Sequence, residues 1–402
     1  MRAKSKSLPM LALAGMLGLA GGLPAGAETM TQSPDDIEIQ TLAKKLDNPW
    51  ALAFLPDGRL LITEKPGNLR IYADGKLTVP IKGVPKVEYH EQGGLLDVAV
   101  DPDFAENKLV YLSYTEAAEK QPPDAKETKD PRLGDFQDLE DVTLKGLVVA
   151  RGRLEGDRLQ DVTVIWRQEP KMIGRGHFGG RLVFAPDGKL FITSGDRQRF
   201  EPAQDLKANV GKIVRINPDG SIPDDNTFVN QDGARPDIWT LGHRNPLGAA
   251  INPETGELWI NEMGPKEGDE INIVVKGQNY GWPKVSEGEH YDGTPIPSHS
   301  EGENFTMPVY AWIPAVSPAG LVFYGGDRFK DWQGKLLLAG MPEEALIVLT
   351  LNGDKVADEK RYDMGERIRD VIEAPDGSVL LLSDGDDAEL LRLTPRGEAR
   401  AG

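Results

Sequence analysis

Leu55-Pro56-Asp57-Gly58-Arg59-Leu60-Leu61-Ile62-Thr63 reads as a tight turn followed by an apolar strand. Ala185-Pro186-Asp187-Gly188-Lys189-Leu190-Phe191-Ile192-Thr193 repeats it almost word for word, and Ala374-Pro375-Asp376-Gly377-Ser378-Val379-Leu380-Leu381-Leu382 is a third copy. Weaker versions run from Asp101 to Tyr111, Asn252 to Ile260 and Trp332 to Leu338. Asp-Gly supplies the positive φ that a tight hairpin needs. Helical periodicity is scarce, and short apolar runs bounded by Gly, Pro, Asp and Asn dominate. Six repeats predict an all-β fold, a six-bladed β-propeller closed as a single domain over residues 28–402, with a barrel or stacked sandwich as the competing all-β arrangement.

The repeats average about 62 residues, longer than the ~40–50 of a compact blade, so loop insertions are implied. The clearest spans 116–141, which is charged, Pro-containing and poor in β-branched residues. It is expected to be a partly mobile surface loop within an early blade.

Composition sets the outer bounds. The 402 residues carry 46 Lys plus Arg against 64 Asp plus Glu, a formal charge of −18, with 39% hydrophobic residues. That is enough apolar side chain for a large core, and the negative charge argues against a nucleic-acid partner. With no cysteine there is no disulfide, thiolate metal site or thiol nucleophile. Arg2, Lys4 and Lys6 precede an apolar run from Leu8 to Leu23 and then Ala25-Gly26-Ala27, the pattern of a signal peptide over residues 1–27 cut before Glu28. Its loss takes three cations and moves the charge from −18 to −21. The run is shorter than the ~20 residues of a spanning helix and contains Pro9. The expectation is an exported, soluble protein without stable membrane insertion, periplasmic in a Gram-negative source.

Propeller loops gather at one end of a central channel. Polar groups beside Gly or Pro at repeat boundaries are therefore the candidate site: Glu91-Gln92-Gly93-Gly94, Gly176-His177-Phe178-Gly179-Gly180, His243-Arg244-Asn245-Pro246, the stretch from Met263-Gly264-Pro265 through Asp269-Glu270 to Asn279-Tyr280-Gly281-Trp282, and Arg367-Ile368-Arg369. His177, one of five histidines, suits a general base, with Asp196 at the end of the next strand to orient it; a turn histidine bonded to backbone is the plainer alternative. Asp269 and Glu270 beside Gly264-Pro265 look like a hard-cation site, or a solvated acidic turn. Arg367 and Arg369, alternate residues of one strand, can face a common anion or form ordinary surface salt bridges.

Gly-His-Phe-Gly-Gly-Arg-Leu at 176–182, Arg-Asn-Pro at 244–246, Gly-Asp-Glu-Ile-Asn at 268–272 and Asn-Tyr-Gly-Trp-Pro at 279–283, in that order, resemble the soluble quinoprotein sugar dehydrogenases, in particular the bacterial aldose branch that uses pyrroloquinoline quinone (PQQ). The resemblance runs from about Leu46 to Thr394 and implies a six-bladed propeller. It implies that His177 is the catalytic base, supported by Asp196. Gln92, Arg244 and Asn245 would hold the quinone, Arg244 near its reacting carbonyl, and Tyr291 would touch it. Arg367 and Arg369 would meet its carboxylates. Glu270 and Tyr280 would be calcium ligands, with Gly264 and Pro265 as carbonyl ligands. The implied reaction oxidises an aldose at its anomeric carbon to the lactone and passes electrons to an unidentified acceptor.

One departure stands out. Relatives carry a basic residue where this chain reads Leu338-Ala339-Gly340-Met341-Pro342-Glu343-Glu344, with Pro342 at the basic position. Losing a cation there weakens the hold on a tricarboxylate unless another replaces it, and Lys335 and Arg328 are the candidates. A calcium-dependent hydrolase or lactonase, or a propeller that only binds sugar or protein, remains open on the sequence.

Overall fold

The computed structural model describes residues 31–32, 36–126, 129–134, 141–302 and 304–397; the expected signal peptide lies outside them. Six sheets, each built on four antiparallel strands, succeed one another along the chain. The first strands of the blades are Pro49–Phe54, Leu95–Val100, Gly179–Phe184, Pro246–Ile251, Pro318–Phe323 and Ile368–Glu373. Each packs on the first strand of the next blade, and the last packs on the first, so these strands ring the channel. The barrel and sandwich alternatives are excluded.

The ring is closed out of sequence order. Ile37–Leu46 forms the outermost strand of blade 6, antiparallel to Ala388–Pro395, with Ile37 opposite Pro395 and Leu46 opposite Ala388. Thr31–Gln32 adds a short parallel strand to the edge of blade 5.

All six sequence repeats fall at one place, the hairpin between a blade's first and second strands. In the three strong copies the glycine N–H donates to the carbonyl three residues back, as Gly58 to Leu55 (2.9 Å), Gly188 to Ala185 (2.9 Å) and Gly377 to Ala374 (2.8 Å). These glycines have φ of +85°, +75° and +76°. The aspartate before each accepts the N–H two residues on: Arg59 to Asp57, Lys189 to Asp187 and Ser378 to Asp376. The phrase is therefore a hairpin with one left-handed residue and an Asx cap. The weaker copy at Asp101 replaces it with a single helical turn, Phe104–Asn107.

The second strands, such as Leu60–Glu64, Leu190–Ser194 and Val379–Ser383, are buried at every position because both faces are covered by neighbouring blades. This is why they read as unbroken apolar runs. Outer strands such as Lys355–Asp363 are largely exposed and mostly polar.

The insertion is shorter at its start than the sequence suggests. Glu116 and Ala117 still belong to the second strand of blade 2, Leu109–Ala117, paired with Gly146 and Lys145. The insertion thus occupies 118–144, between the second and third strands. Its described residues 129–134 make contacts with the body of the fold. Leu133 is buried against Phe200, Ala203 and Trp282, the Arg132 guanidinium lies 3.9 Å from the centre of the Phe200 ring, and the Arg132 carbonyl accepts the Tyr291 N–H (3.2 Å).

Candidate active site

The end of the channel opposite the Asp-Gly hairpins is built from two kinds of position. One is the one to three residues just before a first strand: Gln92, His177-Phe178, Arg244-Asn245, Ser317 and Arg367. The other is the residue or two just after a second strand: Lys65, Asp196, Met263-Gly264, Met341-Pro342 and Asp384. Most of these residues line one cavity of about 500 Å³, together with Trp50, Pro265, Lys266, Tyr291 and Arg369.

His177 sits at its centre with a left-handed backbone (φ +52°), which turns the chain sharply before the strand Gly179–Phe184. The Gln92 carboxamide oxygen accepts its N–H (2.9 Å). Gly195 follows from the same crossing, since a Cβ there would stand 2.3 Å from the His177 carbonyl oxygen. The ring Nδ1 meets Asp196 Oδ1 at 2.6 Å. Asp196 is fully buried, and accepts two further bonds, from the Gln198 N–H (2.8 Å) and from Trp282 Nε1 (2.7 Å). An ionised carboxylate only accepts, so this arrangement puts the proton on Nδ1 and leaves the Nε2 lone pair for the cavity. Burial and the Arg244 guanidinium push the His177 imidazole below its ordinary value, against the opposing pull of Asp196. Burial would raise the Asp196 carboxyl, but His177 and Arg244 outweigh it and hold it below the ordinary carboxylate value.

Arg244 is directed into the cavity by two carbonyls, those of Met263 (2.9 Å) and Gly264, and its Nη2 donates to the Tyr291 hydroxyl (3.3 Å). Its buried Nε and the buried Nδ2 of Asn245 have no partner among the described residues. Asn245 Oδ1 accepts the Gly179 N–H (3.2 Å). Two unsatisfied donors in one cavity wall call for an acceptor-rich ligand.

Arg367 and Arg369 do share a side, as their alternation predicts: both line the cavity, Arg367 exposed and Arg369 largely buried. Both are held by Asp384, whose Oδ2 accepts from Arg367 Nε (3.0 Å) and Oδ1 from Arg369 Nε and Nη2 (2.9 and 2.7 Å).

The expected metal residues separate. Pro265 lines the large cavity, whereas Glu270 and Tyr280 line a second one of about 20 Å³, with Glu262, Gly268 and Ser286; Gly264 and Arg244 border both. Three of the four thus line the small cavity, and Pro265 does not. The Tyr280 hydroxyl donates to the Ile273 carbonyl, and its backbone oxygen accepts from His299 Nε2 (3.0 Å). Among the described residues no three acidic or histidine side chains gather as a metal cage.

Sequence reasoning missed Lys65, Asp384 and the role of Trp282. It also looked in the wrong place for a compensating cation. Arg328 pairs with Asp376 in an Asp-Gly hairpin at the other end of the channel, and Lys335 does not line the cavity. Lys65 lines it, as Pro342 does. The signal was positional: Lys65 follows its second strand as Asp384 follows Ser383.

Comparison with known proteins agrees with this geometry. Residues 46–392 match the family described as Glucose / Sorbosone dehydrogenase. The chain is 43% identical over 373 residues to aldose sugar dehydrogenase YliI of Escherichia coli (strain K12), covering 90% of this chain and 94% of that protein. It is 28% identical to quinoprotein glucose dehydrogenase B of Acinetobacter calcoaceticus, covering 86% and 85%. The crystal structure of the soluble aldose sugar dehydrogenase from Escherichia coli in the apo-form superposes with a TM-score of 0.82 at 42% identity, covering 90% of this chain and all of that one. The PQQ-bound aldose sugar dehydrogenase from Streptomyces coelicolor gives 0.70 at 27% identity, with 90% and 100% covered. With most of its length matched and its cavity built from the residues that carried the resemblance, this chain belongs to the glucose/sorbosone dehydrogenase family of oxidoreductases.

Proposed function

We propose that the protein oxidises aldose sugars at the anomeric carbon to lactones, using PQQ and a calcium ion, after export through its N-terminal segment. The observation that carries this reading is the 2.6 Å contact between His177 Nδ1 and Asp196, which leaves a basic Nε2 for a cavity lined also by Arg244, Arg367 and Arg369. The quinone supplies the two-electron, hydride-accepting redox chemistry, and the cation supplies Lewis-acid polarisation.

The rest falls to the chain's own residues. His177 Nε2 takes the proton of the C1 hydroxyl, and Asp196 stabilises the resulting imidazolium. Because burial and Arg244 lower the imidazole's pKa, the base is neutral and ready near pH 7. The Arg244 guanidinium and the Asn245 amide present fixed donors to an acceptor-rich ring, and Arg367 and Arg369, oriented by Asp384, present cations to its carboxylates.

The residues fit a hard cation in kind. The small cavity holds about one ion or water, and its carboxylates are Glu262 and Glu270. Burial and the nearby Glu262 push the Glu270 carboxyl up to about 8, a cost a bound cation would relieve. The remaining ligands would be backbone oxygens, which suits calcium. A hydrolase on the same scaffold would leave the arginine pair without a role.

Dye reduction by purified protein tests the reading, with PQQ titrated in the presence and absence of calcium against glucose and other aldoses. Saturable activity that needs both and disappears in His177→Ala supports it. No quinone binding and no dye reduction at saturating PQQ would sink it, and lactone hydrolysis without quinone would put a hydrolase in its place.

A further inference from the structure

Lys65 lines the cavity and, unlike Lys266, Arg367 and Arg369, makes no ion pair among the described residues. Its backbone is fixed between blades 1 and 2: its N–H donates to the Asn48 carbonyl and its carbonyl accepts from Leu95, both at 2.9 Å. The fit is close enough that residue 94 must be glycine, since a Cβ there would lie 2.2 Å from the Lys65 oxygen. The side chain is 9% exposed, and its ammonium reaches a backbone carbonyl, that of Glu91 (3.1 Å), while standing 5.9 Å from the centre of the Tyr89 ring.

No carboxylate lies within ion-pair distance of it among the described residues. Of those that act on it, Asp384 is held by Arg367 and Arg369, Glu91 lies 3.7 Å from Arg175, and Asp47 stands beyond ion-pair distance. Burial and the Arg369 guanidinium push the Lys65 ammonium below its ordinary value. A buried cation facing another cation is a costly arrangement unless a ligand anion completes it. The same wall carries Arg367 and Arg369 against the single charge of Asp384. Lys65, Arg367 and Arg369 line the same cavity as Met341 and Pro342, and of the three cations only the two arginines have an ion pair among the described residues.

We propose that Lys65 is a binding residue for a carboxylate of the anionic quinone, working with Arg369 to neutralise a polyanionic ligand on this wall. The inference rests on the quinoprotein reading above and assigns a residue to it. Lys65, Met341 and Arg369, from blades 1, 5 and 6, line the one cavity. Its three N–H donors are spent once on the Glu91 carbonyl, which leaves two for a carboxylate.

The test is equilibrium binding of PQQ to calcium-loaded protein, followed by quenching of tryptophan fluorescence, for wild type, Lys65→Met and Lys65→Arg. Thermal melts of the quinone-free proteins run alongside. A charge-assisted hydrogen bond of the usual strength corresponds to about 10- to 100-fold in affinity. Lys65→Met should bind PQQ that much more weakly and with a shallower dependence on KCl, and Lys65→Arg should stay within a few-fold of wild type. Removing an uncompensated buried charge should leave the quinone-free melting temperature of Lys65→Met unchanged or raised. Affinity within twofold of wild type in Lys65→Met overturns the proposal. So does equal weakening in Lys65→Met and Lys65→Arg, and so does a lowered melting temperature with unchanged affinity, which would make Lys65 a loop anchor. A wild type that binds no PQQ removes the quinoprotein reading itself, an outcome separate from these.

Discussion

Arg181, on the first strand of blade 3, reaches across the channel to Asp370 on the first strand of blade 6, with Nη2 3.1 Å from Oδ1. The same guanidinium meets Asp97 of blade 2 at 3.3 Å and lies 4.5 Å from the centre of the Trp50 ring of blade 1. All three charged residues are the third of their first strands. The third residues of blades 1, 4 and 5 are Ala51, Gly248 and Gly320, and a Cβ on Gly320 would fall 2.1 Å from Asp370 Oδ1. One layer of the channel is thus filled by a buried ionic tie that leaves no room for larger side chains elsewhere in the ring. Removing one partner of such a tie costs about 3–5 kcal/mol. Arg181→Met should destabilise the protein by that order in urea unfolding at pH 8, and by less at pH 5, where the two stranded carboxyls can take up protons. Equal losses at both pH values would show that packing, not charge, holds this layer.

Asp97 carries its own pH signature. Burial raises its carboxyl to about 6 despite the pull of Arg181. A carboxyl raised on folding binds its proton more tightly in the folded state, so this contribution to stability is complete below the ordinary value of 3.8 and is lost as pH rises through about 6. Asp97→Asn should therefore flatten the dependence of unfolding free energy on pH between about 4 and 7. A slope identical to that of wild type across this range would remove Asp97 as its source.

Much of this molecule is legible in its sequence because blades are local. A turn and the apolar strand after it lie within about ten residues, so three Pro-Asp-Gly copies and three weaker ones announce six blades before any contact is known. His177, Arg244, Arg367 and their neighbours are legible for a related reason: each stands beside a Gly or Pro at a blade boundary. The unreadable part depends on partners far apart in the chain. Lys65 looks like a turn lysine before Pro66-Gly67, and Asp384 like one acid among several in Ser383-Asp384-Gly385-Asp386-Asp387. Only ring closure brings them to one wall. The split between Pro265 and Glu270 is hidden too, because Asp269 turns the chain between them: its carboxylate accepts the Gly264, Val316 and Ser317 N–H groups.

Asp196 fixes which nitrogen of His177 is basic, so its replacement should damage chemistry more than binding. In Asp196→Asn the amide offers no charge to an imidazolium, and kcat for aldose oxidation should fall by about 10²–10⁴-fold with PQQ affinity little changed. The wild-type profile of kcat/KM should rise with pH as His177 loses its proton, with a midpoint below the ordinary histidine value of 6.5. Without the Asp196 charge, which favours protonation, that midpoint should move lower still. A midpoint that stays in place in Asp196→Asn would mean that another group sets the acid limb.

The insertion should act on the same pair through Leu133. That side chain packs with Phe200 and Trp282, and Trp282 Nε1 donates to the Asp196 oxygen that His177 does not use. Truncating a buried leucine costs about 2–5 kcal/mol, here charged mainly to the docking of residues 118–144 rather than to the ring of blades. Leu133→Ala should therefore be cut faster within the insertion by a protease at low concentration, while global unfolding in urea shifts less than the local cost. It should also lower kcat several-fold, because the indole that steadies Asp196 loses its backing. Unchanged cleavage with unchanged kcat would mean that Arg132, through Phe200 and the Tyr291 backbone, is sufficient to hold the insertion against the active-site wall.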